Sequence, residues 1–488
     1  MKLANLLLKT EYRMLNGSDD IAVCNLVYDS RNVHDGDVFV CVSGAVSDGH
    51  DYIDKAVSAG ASCIVVERDI EITKALDTVA VVRVDDTRLA LANMSAAFFG
   101  YPGRELFTIG ITGTKGKTTS TFMVYDILNA CGVKTGIIGT IETIIGDEHI
   151  PSENTTPESY KIHEYFRKMV DAGIKCVVME VSSQAFKLHR TAGIVFDIGV
   201  FTNLEPDHIG PNEHADFEEY LRCKKMLFGQ CKKGIVNSDS EYIERIVEGA
   251  ACSIETYGIN NKADLMAYDI NYGMEGGAFE TGYKTKGTKK LSIKLSLPGD
   301  FSVYNSLCAL AVVSHFDLDD SMVVKALHAA KVAGRVEPVN VSDRFIAMID
   351  YAHNAMSLQS LLTTLRGYNP KRIVTLFGCG GNRSRQRRFE MGEISGKLSD
   401  LTVITSDNPR NEEPEDIMRD IETGIKKTDG QYVMIEDRYE AVEYAIRHAK
   451  PGDIIVIAGK GHEDYQEIKG VKYHMSDREL VQRAAKKD

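Results

Sequence analysis

Unbroken apolar runs alternate along this chain with stretches whose apolar residues recur at helical spacing. That is the pattern of strands covered on both faces and of the helices that cover them. Residues 106–112 predict a buried strand, and residues 120–128 space their apolar positions as a helix does. Residues 3–8 read as a helix start and not as a signal peptide, because Asn5 breaks the run and no cleavage pattern follows. Up to residue 104, the β-branched runs 38–42 and 61–66 alternate with helical patterns, as in a small α/β domain, and Tyr101, Pro102 and Gly103 punctuate its end. Further strands are expected at 175–180 and 195–201, then a break near Gly334. Beyond it the runs 345–350, 372–377, 401–405 and 453–458 predict a second doubly wound unit. No internal repeat or low-complexity segment interrupts this order.

The expectation is therefore an α/β chain of three domains, 1–104, 105–333 and 334–488: a central parallel-sheet domain and a C-terminal Rossmann-like domain follow the first. Its 488 residues suit about three domains of roughly 150 residues each. A net charge of −13 argues against a protein that coats nucleic acid, since neutralising phosphates needs a basic face. No apolar run approaches the roughly 20 residues that span a bilayer, so no membrane partner is expected. The ten cysteines are scattered, with no Cys-x-x-Cys pair, which suits reduced thiols in a cytoplasm, mostly as core filler.

Chemistry enters between the expected strand at 106–112 and the helix after it. Gly113, Thr114, Lys115, Gly116, Lys117, Thr118 and Thr119 form a phosphate-loop motif, whose amides and lysine would hold a nucleotide triphosphate. Where the standard motif has its first glycine, this chain has Ile111. Glu180 ends an apolar strand, where it either helps hold magnesium or caps the strand end. His208 follows another strand in a polar cluster. Lys224 and Lys225 sit side by side in a helical stretch and by themselves read as solvated charge. Three polar loops, 378–383, 406–410 and 459–464, follow three strands of the last domain and are expected to converge on one crevice. Arginine forks suit a carboxylate, and carboxylates with amides suit an ammonium, so this crevice is expected to hold an amino acid.

With these motifs the chain resembles the Mur ligase superfamily, the ATP-dependent amino-acid ligases of peptidoglycan precursor synthesis, over almost its whole length. The resemblance implies that the variant loop binds ATP, with Lys117 on the phosphates. It implies that Thr118, Glu180 and His208 serve magnesium, and that Lys224 is carbamoylated and serves a second magnesium. Asn305, Arg335, Asp350 and His353 match further ATP-site positions. Among family members, those that extend UDP-N-acetylmuramoyl-L-alanyl-D-glutamate are the most similar: Ser30, Asn154, Thr155, Thr156, Ser182 and Arg190 resemble their nucleotide-sugar contacts. Asp407, Asn408, Pro409 and Arg410 match the motif of members that add meso-diaminopimelate, with Arg410 on the distal carboxylate. Arg383, Gly459 and Glu463 match other contacts to that amino acid.

The implied reaction is a phosphoryl-transfer ligation through an acyl phosphate, carried out by a cytoplasmic monomer. Four departures from the family pattern stand out: Leu188, Asn354 with Ala355, Asn382, and the segment 207–214. Three other readings share part of the pattern: a folylpolyglutamate synthase, a member adding lysine or another amino acid, and a non-catalytic precursor-binding paralogue. The first should lack the nucleotide-sugar residues and the run 407–410; the last should have lost Lys117, Glu180, His208 or Lys224.

Overall fold

Every apolar run that the sequence predicts as a strand forms one, and what varies is which neighbours each strand finds. The computed structural model describes residues 1–44, 47–207, 209–210, 213–273, 276–283, 290–295 and 299–486. The chain falls into two units, one built mainly on Met1–Met266 and the other mainly on Val324–Asp488.

The first unit opens with a five-stranded sheet in the order Arg13–Asn16, Ala80–Arg83, Cys63–Val66, Val38–Val40, Leu26–Val27. All neighbours run parallel except Arg13–Asn16, which pairs antiparallel at the edge. Helix Thr87–Phe98 starts at Asp86, whose carboxylate accepts the Leu89 amide at 2.8 Å. Its Ala90, Leu91 and Met94 cover one sheet face together with Leu3 and Leu6. Phe39, Ile64 and Val81 point to the other face, the strict alternation of a pleated sheet.

The same unit carries a second, larger sheet. Phe107–Thr112 lies at its middle, hydrogen-bonded in parallel register to Cys176–Glu180 on one side and Phe196–Phe201 on the other. Thr135–Ile138 extends the parallel part beyond Cys176–Glu180, and Cys231–Asn237 with Ser253–Gly258 extend it beyond Phe196–Phe201. A hairpin, Glu142–Ile145 with Glu148–Pro151, adds an antiparallel margin. The carboxyl ends of the three middle strands thus come out side by side, at Thr112, Glu180 and Phe201.

The second unit holds a six-stranded sheet in the order Glu337–Val339, Ile346–Asp350, Asp453–Ala458, Arg372–Phe377, Leu401–Ile404, Tyr432–Met434. Only Glu337–Val339 is antiparallel. Helices Ala355–Arg366, Arg385–Leu398 and Pro414–Ile425 cover one face through Leu358, Leu362, Met391 and Ile421. Arg438–Arg447 and Asp477–Ala485 cover the other through Val442 and Val481. This is the doubly wound arrangement, whose ligands belong at the carboxyl ends of the strands.

All ten cysteines are unbridged. Seven are buried as expected of core filler; Cys24 is exposed and Cys131 and Cys252 are half-buried, a departure from that expectation. Among the described residues no helix is long and apolar enough to cross a membrane.

Candidate active site

The loop after Thr112 turns on Gly113, held at φ 151°, where a Cβ would stand 1.9 Å from Thr202 Oγ1. Only glycine fits that approach. Gly116 then takes a left-handed φ of 83° and lets helix Lys117–Ala130 begin at Lys117, earlier than the sequence pattern suggested. Ile111, which replaces the usual glycine, is wholly buried inside the strand, so the strand continues where the standard loop would already have turned. Lys117 Nζ donates to the carbonyls of Gly113 at 2.8 Å and Thr114 at 3.1 Å, which curls the lysine over the loop. The Lys115 amide donates to Asn203 Oδ1 at 2.8 Å, and its ammonium pairs with Glu205 at 2.6 Å. The amides of a helix's first turn and its dipole favour an anion, so the loop has the build of a phosphate cradle.

Glu180 is fully buried at the adjacent strand end. Its Oε2 accepts from Thr118 Oγ1 at 2.8 Å and from Thr140 Oγ1 at 3.0 Å, and its Oε1 accepts the Thr140 amide at 2.8 Å. A threonine hydroxyl in the phosphate loop and a carboxylate in hydrogen-bond contact are hard oxygen donors of the kind magnesium takes, and that ion needs few donors from protein when phosphates supply others. The pair fits such an ion. Among the described residues no three His, Cys, Asp or Glu side chains gather at metal-holding distance. His208, Pro211 and Asn212 lie outside the described residues.

Lys224 corrects the reading made from its own helix. It is 1% exposed, whereas Lys225 faces outward and pairs with Glu248. In helix Phe217–Lys225 it lies one turn after Tyr220 and shares its buried face. Its ammonium sits 4.7 Å from the Tyr220 ring centre and donates to the Gly113 carbonyl at 2.8 Å, the same oxygen that Lys117 uses. Burial, and next the charge of Lys117, push the Lys224 amine well below its ordinary pKa. Tyr220 in turn bonds its hydroxyl to Thr114 Oγ1 at 2.9 Å, so one ring touches both the loop and the lysine.

A short chain of hydrogen bonds leads from Glu180 to most of the residues expected at a nucleotide sugar. Thr140 Oγ1 and Thr155 Oγ1 are 3.1 Å apart. Thr156 Oγ1 donates to the Glu180 carbonyl at 2.9 Å and accepts the Ser182 amide at 3.0 Å. Arg190 donates to the Thr156 carbonyl at 2.9 Å and pairs with Glu158 at 2.7 Å; Arg88 of the small sheet's covering helix reaches the same carboxylate at 3.4 Å. Asn154 is exposed beside Thr155, and Ser30 stands half-buried in a short turn that Asp29 caps by accepting the Arg31 amide.

In the second unit the three polar loops do converge, and glycines among them make the close approach possible. A Cβ on Gly378 would lie 2.3 Å from the Thr405 carbonyl, and one on Gly381 would lie 1.9 Å from the Pro409 carbonyl. These glycines admit the neighbouring loop, not a ligand. Asn408 Nδ2 donates to Glu463 at 2.8 Å, and Gly459 backs onto the buried Asp407. Burial pushes the Asp407 carboxyl up, and the Lys460 ammonium pulls it back. Lys460, wholly buried, donates to Asn408 Oδ1 and to Glu463 Oε2, each at 3.3 Å, and also to the Tyr465 carbonyl. The Arg410 side chain comes within 3.0 Å of where a Gly380 Cβ would stand, and Arg383, exposed, within 3.7 Å. Two guanidinium side chains near one glycine suit a carboxylate.

Arg335, Asp350 and His353 gather around Tyr351. Arg335 lies over its ring at 4.6 Å, and His353 Nδ1 bonds the Tyr351 carbonyl at 2.8 Å. Asp350 accepts the amides of Val336 and Ala352 at 2.8 and 2.7 Å. The Tyr351 hydroxyl reaches Glu463 at 3.4 Å. Asn305 is buried within helix Asp300–Val313. Sequence reading missed Tyr351, Lys460 and Tyr220, although Lys460 stands between two glycines of a loop already singled out. Two departures have local reasons. Asn354 caps helix Ala355–Arg366 through the Ser357 amide at 2.8 Å. Asn382 holds a left-handed φ of 55° and accepts the Asn411 amide, beside the Glu412 carboxylate, which would repel an aspartate. Nothing in the structure explains Leu188.

Three family models match the chain: the Mur ligase middle domain at residues 111–313, the Mur ligase glutamate ligase domain at 334–461, and the Mur ligase family catalytic domain at 23–99. The UDP-N-acetylmuramoyl-L-alanyl-D-glutamate--2,6-diaminopimelate ligase 1 of Clostridium acetobutylicum is 43% identical over 484 residues, 99% of this chain and 98% of the relative. The ligase of that name, without the number, from Caldanaerobacter subterraneus is 40% identical over 482 residues, again 99% and 98%. A solved structure of a ligase of that name superposes with a TM-score of 0.71 at 26% identity, covering 100% of this chain and 99% of its own. A folylpolyglutamate synthase of Mycobacterium tuberculosis, at 18% identity and TM-score 0.60 over 82% of this chain and 94% of its own, shares the fold. With a phosphate loop, an acidic partner beneath it and relatives matched end to end, the chain belongs to the Mur ligase family.

Proposed function

We propose that this chain is the ATP-dependent ligase that joins meso-diaminopimelate to UDP-N-acetylmuramoyl-L-alanyl-D-glutamate in peptidoglycan precursor synthesis, releasing ADP and phosphate. The observation that carries the reading is the Thr118–Glu180 pair under the phosphate loop, in a chain matched from end to end by relatives of that name. The D-glutamyl carboxylate attacks the γ-phosphoryl group of ATP, giving an acyl phosphate and ADP. The α-amine of diaminopimelate then attacks the acyl carbon, the amide bond forms, and phosphate leaves with the acyl oxygen.

Phosphoryl transfer asks the protein mainly for position and charge. Lys117 would leave the carbonyls of Gly113 and Thr114 for phosphate oxygens, and the loop amides would hold the rest of the chain of phosphates. Thr118 and Glu180 would hold magnesium, with His208 and a carbamoylated Lys224 at a second ion. Bound magnesium would neutralise charge on the phosphate oxygens. Burial, which lowers the pKa of the Lys224 amine, supports carbamoylation, since only the neutral amine adds carbon dioxide, losing a proton as the carbamate forms. Ser30, Asn154, Thr155, Thr156, Ser182 and Arg190 are assigned to the nucleotide sugar. Arg335, Asp350, His353 and Asn305 are assigned to ATP. In the second unit Arg383 and Arg410 would take the distal carboxylate of diaminopimelate, and Asp407, Asn408, Gly459 and Glu463 its ammonium groups.

The same reading divides the chain at residues 104 and 333 into precursor, ATP and amino-acid domains, and makes it a cytoplasmic monomer. ADP release from ATP, magnesium and the nucleotide dipeptide tests the reaction: it should require meso-diaminopimelate and stay low with L-lysine or D-lysine. Turnover with lysine as fast as with diaminopimelate would overturn the specificity.

A further inference from the structure

Arg410 holds a left-handed backbone, φ 53°, which a long side chain adopts only when its surroundings impose it. The surroundings are the hairpin Tyr465–Ile468 with Val471–His474. Its first strand lies along the loop 406–410. The Arg410 amide donates to the Glu467 carbonyl at 3.0 Å, and the Arg410 carbonyl accepts the Lys469 amide at 2.7 Å. The Glu467 amide donates to Asn408 Oδ1 at 2.9 Å. Gln466 Nε2 donates to the Asp407 carbonyl at 2.7 Å and to Ser406 Oγ at 3.1 Å. The side chain is gripped as well as the backbone. Arg410 Nε faces Glu467 Oε2 at 3.3 Å, and its Nη1 donates to the Gly381 carbonyl at 2.8 Å.

We propose that Glu467 is a positioning residue for amino-acid selectivity, fixing the plane of the Arg410 guanidinium so that its outer edge meets the distal carboxylate of the incoming amino acid. The proposal rests on the reading of Arg410 given above. A guanidinium already tethered at Nε and Nη1 loses little rotational freedom on binding a carboxylate, and fixed forks bind more tightly than mobile ones. Glu467 is also half-exposed, so its carboxylate is not needed to fill the core. The hairpin's grip on the backbone of Arg410 uses main-chain groups and survives loss of the side chain.

Steady-state kinetics of Glu467→Ala and Glu467→Gln in the full chain test this, with meso-diaminopimelate and L-lysine as alternative acceptors. The alanine variant should raise KM for meso-diaminopimelate by about tenfold, and lower its preference over lysine by about as much. KM for ATP and for the nucleotide dipeptide should stay within about twofold, since neither meets this loop. Glu467→Gln, which keeps an acceptor oxygen, should lie between wild type and alanine, and both variants should melt with the wild type. If both variants keep the wild-type preference, the inference falls while the reading of Arg410 stands. If wild type itself uses lysine as well as diaminopimelate, the reading of Arg410 falls, and the inference with it.

Discussion

Lys224 and His163 are buried for different ends, and each makes its own prediction. Lys224 shares one carbonyl with Lys117 at 2.8 Å from each, and burial with the Lys117 charge pushes its amine below the ordinary lysine range. Lys224→Ala should lower turnover about a hundredfold or more while leaving the fold intact, measured by ADP release beside the melting curve. Wild-type activity should fall in buffer stripped of carbon dioxide and return with bicarbonate; indifference to both would argue against the carbamate. His163, on helix Ser159–Asp171, has neither ring nitrogen bonded and packs edge-on against Phe166. Burial holds it at about 4, against 6.5 for a free histidine. The unfolded chain therefore binds the proton first, and stability drains as pH falls from 6.5 toward 4. His163→Phe should spare about 3 kcal/mol of that loss, read as a flatter dependence of chemical denaturation midpoints on pH.

Among elements, the long buried strands were legible because a continuous apolar run has few other uses. The short edge strands Glu337–Val339 and Tyr432–Met434 were not, for three residues carry too little periodicity. Helix Phe217–Lys225 explains why Lys224 misleads: charge spacing reports a helix face, but only the fold reveals that the Gly113 loop covers that face. The phosphate loop was legible in kind, and Ile111 became intelligible once the strand was seen to run through it. Other features link distant segments and leave no local trace. Arg438 and Asp477, both fully buried, pair at 2.7 Å and tie the last helix to its neighbour. Arg438 also donates to the carbonyls of Ser406 and Ala458, each at 3.2 Å, at two strand ends of the site proposed for the amino acid. Arg438→Met alone strands a buried aspartate and should cost about 3–5 kcal/mol in urea unfolding, whereas Arg438→Met with Asp477→Leu should recover most of it. A double variant as weak as the single would mean that the contacts to Ser406 and Ala458 matter more than the ion pair.

At the scale of the whole molecule, the chain separates its chemistry. The phosphate loop, Glu180, Lys224 and the residues proposed for the nucleotide sugar belong to one unit, and the arginine-rich loops belong to the other. In the proposed reaction these parts serve one ligation with one preferred acceptor. The most direct measurement offers the chain ATP, magnesium and the nucleotide dipeptide with equal meso-diaminopimelate and L-lysine, and weighs the products by mass spectrometry. The expected product is a UDP-linked tripeptide carrying diaminopimelate, in excess of the lysine adduct by about tenfold or more. A lysine adduct in equal or greater amount, or ADP formed with no adduct at all, would contradict it.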